Sequence, residues 1–146
     1  MEKLNFPTEK DKIINPNNMD TKPEYIPGTC NIGPKEIKMR KNGAILSGVI
    51  TIAIIILLLV LHTGKPWRMV LFLPAAWFGV SFLQWYFKFC VSFGLQGVFN
   101  FGDLGKTFTV EQKEDYKKDR IKAWKMISAG ILFGLILSIA FYLLPV

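Results

Sequence analysis

Three stretches of this chain run without a charged residue: Gly43–Leu61, Met69–Phe87 and Met126–Val146, of 19, 19 and 21 residues. At 1.5 Å per helical residue each can cross a hydrocarbon core of roughly 30 Å. A bilayer core offers no water to a backbone amide, and an unpaired one costs several kcal/mol there, so such runs must be helices. The apolar residues, 51% of the 146, are blocked in this way rather than dispersed, and the mean hydropathy is +0.30. The expected fold class is an all-α integral membrane protein with three transmembrane helices, an interfacial or re-entrant helix and an extended N-terminal tail. A signal peptide does not explain the first run, because 42 mostly polar residues precede it instead of a short basic segment. Neither end carries a lipidation motif.

The net charge is +7, and its distribution says more than its sum. Of the 18 basic residues, eight precede the first run, two (Lys65 and Arg68) separate the first from the second, and eight lie from Lys88 to Lys125. The positive-inside rule then places the N-terminus in the cytoplasm and the C-terminus outside. Eleven acidic residues share the same two segments, and no aromatic platform interleaves the lysines, so nucleic acid is not an expected partner. Lys38, Arg40, Lys41, Arg68, Lys88, Lys122 and Lys125, with Trp67, Trp85 and Trp124, read as a headgroup belt attracting anionic lipids.

The chain divides into a proline-rich cytoplasmic tail (1–34), a first helix running into a span (35–62) and a short outer turn (63–68). A second span (69–88), an interfacial or re-entrant segment (89–102), a charged cytoplasmic loop and helix (103–122) and a third span (123–146) follow. Five of the eight prolines fall in the tail, which is expected to stay non-helical until about Lys35. Tyr25, Ile26 and Ile32 are more apolar than a free tail needs and predict that this segment lies along a protein surface. Pro34 suits a first helical turn. Pro74 is expected to kink the second span. "TVEQ" at residues 109–112 fits a capping box and predicts one long helix from about Val110 to Leu144.

Spans associate through close backbone approach, since lipid tails are as apolar as leucine. Gly130, Gly134 and Ser138 recur at four-residue spacing; Gly43, Ser47 and Gly48 mark the first span; Cys90, Gly94 and Gly97 fall on one helical face. These strips are the expected helix-packing or partner interface, toward other membrane protein subunits.

No catalytic, cofactor-binding or metal-ligating set is expected. The three uncharged runs hold no group at depth for an ion or proton pathway. The single His62 lacks a second axial partner for haem, and Cys30 and Cys90 provide only two of the four ligands a zinc site wants. No nucleophile elbow, phosphate loop or zinc-protease motif is present.

The segment "CNIGPKEIKMRKNG" before the first span, paired with "FCVSFGLQGVFNFG" after the second, resembles small multi-span prokaryotic membrane proteins. That resemblance implies the prokaryotic cytoplasmic (inner) membrane and attaches no activity. Three functions are compatible with these features. One is a non-catalytic accessory or scaffold subunit of a larger complex, and another is a small oligomeric channel or transporter component. The third is a lipid-modifying enzyme using Cys90 or Asn100 with Asp103. Residues 89–101 would span about 20 Å as helix, too short for a fourth crossing, so a helical docking element is expected there.

Overall fold

A computed structural model describes residues 25–145. The described residues are 71% helical, and three of their helices are long and apolar enough to span a membrane. Helix α1 covers Pro34–Val60 and starts with proline at its first turn, where a missing N–H costs nothing. It ends where Thr63 returns both its amide and its hydroxyl to the Leu58 carbonyl, at 3.3 and 3.2 Å. A 3-10 segment, Lys65–Leu71, then leads into α2, Phe72–Tyr86. Pro74 therefore falls in the first turn of α2 rather than inside a long helix. The kink expected from Pro74 is replaced by the junction of the 3-10 segment with α2.

After α2 the chain turns through Lys88, a non-glycine residue at φ 51°, and enters the six-residue α3, Val91–Gln96. Gly97, at φ 69°, ends it in the left-handed region that glycine tolerates. The helix expected across residues 89–101 thus stops early. Two short strands follow, β1 (Val98–Phe99) and β2 (Phe108–Thr109), paired antiparallel with Val98 opposite Thr109 and Phe99 opposite Phe108. The last helix, α4, covers Lys113–Leu143. Thr109 belongs to the hairpin and caps nothing; Gln112 is the residue before the helix and makes no side-chain cap bond. The expected capping box is displaced because β-branched Thr109 is held in a strand by its pairing with Val98.

Helix α2 is the middle of the bundle. It packs on α1 and on α4, and those two make no interface of comparable size with each other. The buried positions of α4 are Asp119, Ala123, Met126, Gly130, Gly134, Ser138 and Phe141, a single stripe at three- and four-residue steps. Gly79 of α2 lies against Gly130 of α4: a Cβ on Gly79 would come within 3.1 Å of the Gly130 Cα. On the other side, a Cβ on Gly48 would meet the Phe78 ring at 3.2 Å. Ser47 and Thr51 face inward, yet their hydroxyls bond the preceding turn of α1, at 2.8 Å to the Gly43 carbonyl and 2.7 Å to the Ser47 carbonyl.

A separate hydrophobic core of Phe89, Val91, Ala123 and Met126 joins α3 to α4 at one end of the bundle. Residues 25–33 form a non-helical strap across that end.

Candidate functional site

The strap end gathers five buried polar side chains, Asn31, Glu36, Gln84, Asn100 and Asp119. Its construction begins with the turn Ile26–Pro27–Gly28–Thr29, in which the Thr29 amide donates to the Ile26 carbonyl at 2.9 Å. Proline at the second position and glycine at φ 68° at the third are what a type II turn requires. The turn aims the Gly28 amide at Asp119 of α4. Gly28 N–H donates to Asp119 Oδ1 at 2.6 Å and the Tyr25 hydroxyl donates to Oδ2 at 2.8 Å. Asp119 is fully buried, and the Tyr25 ring stacks on Phe99 at 4.5 Å between centroids. Burial pushes the Asp119 carboxyl up from its ordinary range, against the opposing pull of those two donors. The Tyr25 phenol is pushed up as well, first by burial and then by the neighbouring carboxylate. Lys122, half-buried, donates to the Thr29 carbonyl at 2.8 Å and stands over the Phe89 ring at 4.9 Å; burial draws its ammonium down.

Two asparagines tie the strap to the rest. Asn31 grips the backbone of Cys90 from both sides, accepting from its amide at 2.7 Å and donating to its carbonyl at 3.1 Å. The Asn100 amide donates to the Asn31 carbonyl at 3.0 Å, and the Gly33 amide donates to the Asn100 carbonyl at 2.7 Å. The strap thereby runs parallel to residue 100 through an Ile32–Asn100 bridge. The approach needs glycine at position 33, because a Cβ there would sit 2.8 Å from the Phe101 Cα. Asn100 Nδ2 donates to the Asp103 carbonyl at 2.9 Å and lies 3.4 Å from Glu36 Oε1, and its Oδ1 accepts from Gly102 at 2.9 Å. Gln84 Oε1 accepts from the Val91 amide at 3.2 Å.

Cys90 Sγ accepts from Arg40 Nη2 at 3.1 Å, and Arg40 lies 3.8 Å from the buried carboxylate of Glu36. Burial nonetheless pushes the Cys90 thiol up, outweighing the Phe93 backbone hydrogen bond and the Arg40 charge. Asp103 points the other way. Its side chain is exposed, paired with Lys35 and with Lys106, and the Lys35 ammonium holds its carboxyl below the ordinary range. Cys90 and Asn100 are thus buried while the Asp103 carboxylate is exposed. Among the described residues no group of three or more histidine, cysteine or acidic side chains could hold a metal ion.

The residues singled out in the sequence fall in several places. Gly130 and Gly134 face α2, where a Cβ on either would be 2.8 Å from the backbone nitrogen of Val80 or Ala76 respectively, while Ser138 is buried one turn further on. A Cβ on Gly43 would meet nothing within 4 Å. Cys90, Gly94 and Gly97 do not form one helical face: Cys90 precedes α3, Gly94 faces the Phe89 ring and the Asp119 carbonyl, and Gly97 lies against the Tyr116 ring. Lys38, Lys41, Lys88, Trp67, Trp124 and Lys125 are exposed, and Trp85 is half-buried under the Lys41 ammonium. Arg68, expected at the headgroups, turns inward instead. It is 5% exposed and its Nη1 donates to the Leu144 carbonyl at 2.8 Å, a partner for the C-terminus of α4. Arg40 and Lys122 likewise lie partly inside, held by Cys90 and Thr29. Sequence reasoning missed Asn31, Gln84, Glu36 and Asp119; only the Pro27–Gly28 turn signal beside apolar strap residues hinted at the arrangement.

Comparison with protein-family models, with curated proteins and with solved structures finds no match to this chain.

Proposed function

We propose that the protein is a non-catalytic accessory or scaffold subunit of a larger membrane protein complex, set in a prokaryotic cytoplasmic membrane with its N-terminus inside and its C-terminus outside. The reading is carried by what the buried polar side chains at the strap end hold. Asn31, Gln84 and Asp119 are each engaged with backbone groups of another segment, and Asn100 holds the backbone of its own loop while reaching the Glu36 carboxylate, which supports a rigid platform and, among the described residues, leaves no converged nucleophile, base and oxyanion donor. The short α3 and the hairpin sit at the membrane surface in this arrangement. The partner helix packs on the outer face of α1, where Ile45, Val49, Ile52 and Ile56 form an exposed stripe at helical spacing.

Purification of the tagged chain in mild detergent tests the reading. A stoichiometric partner is expected, and it should be lost when Val49 and Ile52 are both replaced by Trp while helicity is retained. A chain that runs alone and supports selective flux in liposomes would instead establish the channel reading.

A further inference from the structure

An apolar cleft beside the α2–α4 interface points to a ligand of its own. It has a volume of about 340 Å³ and is lined by Phe78, Gly79, Phe82 and Leu83 of α2 and by Ala129 and Phe133 of α4. That size lies within the roughly 300–1,000 Å³ of small-molecule sites. Its lining is almost wholly apolar and belongs to the spanning helices, so whatever enters it must itself be apolar. One end of the cleft is marked by charge. The α2 face bearing Phe78 and Phe82 continues to Trp85, and the Lys41 ammonium stands 5.9 Å over that ring. The α4 face bearing Phe133 and Ala129 continues one turn back to Lys125, which is exposed. Tyr86, exposed and with its ring stacked on Phe82 at 6.2 Å, stands at the same level.

We propose that this cleft binds an anionic diacyl phospholipid, with one acyl chain among Phe78, Phe82 and Phe133 and the phosphate between Lys41 and Lys125. A protein helix, about 10–12 Å across with its side chains, is too wide for a cleft of about 340 Å³, whereas an acyl chain is not. A zwitterionic lipid would fill the apolar part and gain little from the two lysines. The site goes beyond the scaffold reading and does not depend on it.

Native mass spectrometry of the purified chain, titrated with phosphatidylglycerol or with phosphatidylcholine of the same acyl chains, tests the proposal. Phosphatidylglycerol should be retained on the order of twenty-fold better, about five-fold for each lysine near the phosphate. Lys41→Gln with Lys125→Gln should bring it down to the phosphatidylcholine level. Ala129→Phe, a substitution that fills the cleft from an exposed position, should weaken both lipids together. Phosphatidylglycerol with a photoreactive acyl chain should label residues 78–83 or 129–133 of the unaltered chain. Equal retention of the two lipids by the unaltered chain, labelling confined to other segments, or a photoreactive group at Phe82 that captures a protein chain in membranes would each overturn the proposal.

Discussion

Gly134 of α4 packs so tightly on Ala76 of α2 that an added Cβ would stand 2.8 Å from both the Ala76 Cβ and its backbone nitrogen. A backbone atom cannot swing aside as a long side chain can, so the two helices must part to admit a side chain. Gly134→Ala is expected to cost about 1–3 kcal/mol, the usual range for overpacking, and Gly134→Leu to separate the helices altogether. Gly43→Leu, at a position open on all sides, should stay within about 0.5 kcal/mol. Thermal midpoints in detergent check the contrast; equal effects at the two positions would count against a tight α2–α4 contact.

The strap depends on Asp119. Replacing it with Ala removes the acceptor for two buried donors, at a cost of about 2 kcal/mol or more, whereas Asp115→Ala removes only a surface pair with Lys118. Hydrogen exchange at residues 26–33 should rise sharply in the first variant and hardly change in the second.

The same carboxyl gives a pH dependence of definite sign. Because its folded value is raised above the ordinary 3.8, the native state binds its proton more readily than the unfolded chain. Stability from this group therefore falls as pH rises from the ordinary value through the raised one, and is fully present below both. Asp103, held low by Lys35, acts oppositely: its contribution is present above the ordinary value and lost as pH falls through the lowered one, and its exposure keeps it small. Mild acidification should raise the stability of the native protein and not that of Asp119→Ala, as read by thermal midpoints in detergent.

Arg68 serves the other end of the bundle. Arg68→Ala should fray the last turn of α4 and cost about 1.5–3 kcal/mol, the range for a hydrogen bond from a charged donor. Arg68→Lys should restore only part: one nitrogen, Nη1, reaches both the Phe141 and Leu144 carbonyls, but a lysine loses the planar guanidinium that lies 5.7 Å over the Phe141 ring. Exchange protection at residues 140–144 reports both.

Both cysteines are buried, so a maleimide should react slowly with the folded protein from either side of a membrane. Asn31→Ala frees the Cys90 backbone and should speed labelling at least ten-fold; unchanged kinetics would show that the clamp does not guard the thiol.

How far the sequence foretold this arrangement depends on the range of each interaction. The three uncharged runs were legible because spanning a bilayer imposes length and composition on contiguous residues. The close approach of Gly130 and Gly134 left a local four-residue period. The hairpin left none, since strands of two residues have no periodicity to show. Asn31 and Cys90 stand 59 positions apart, and nothing local to either marks their pairing. Arg68 was misplaced for a similar reason: its position beside a turn suggested headgroups, and only the bundle shows that it meets the end of α4.

Tyr25 and Asp119 are 94 positions apart in the chain, and the strap that joins them precedes every helix of the described residues. During synthesis the strap emerges before those helices, yet it cannot close on Asp119 until α4 has begun to form. Closure of its Tyr25–Gly28 end is consequently among the last steps of assembly, after Asn31 and Gly33 can already have met Cys90 and Asn100. A chain halted before residue 119 would carry helices α1 to α3 without the carboxylate that receives Tyr25 and Gly28.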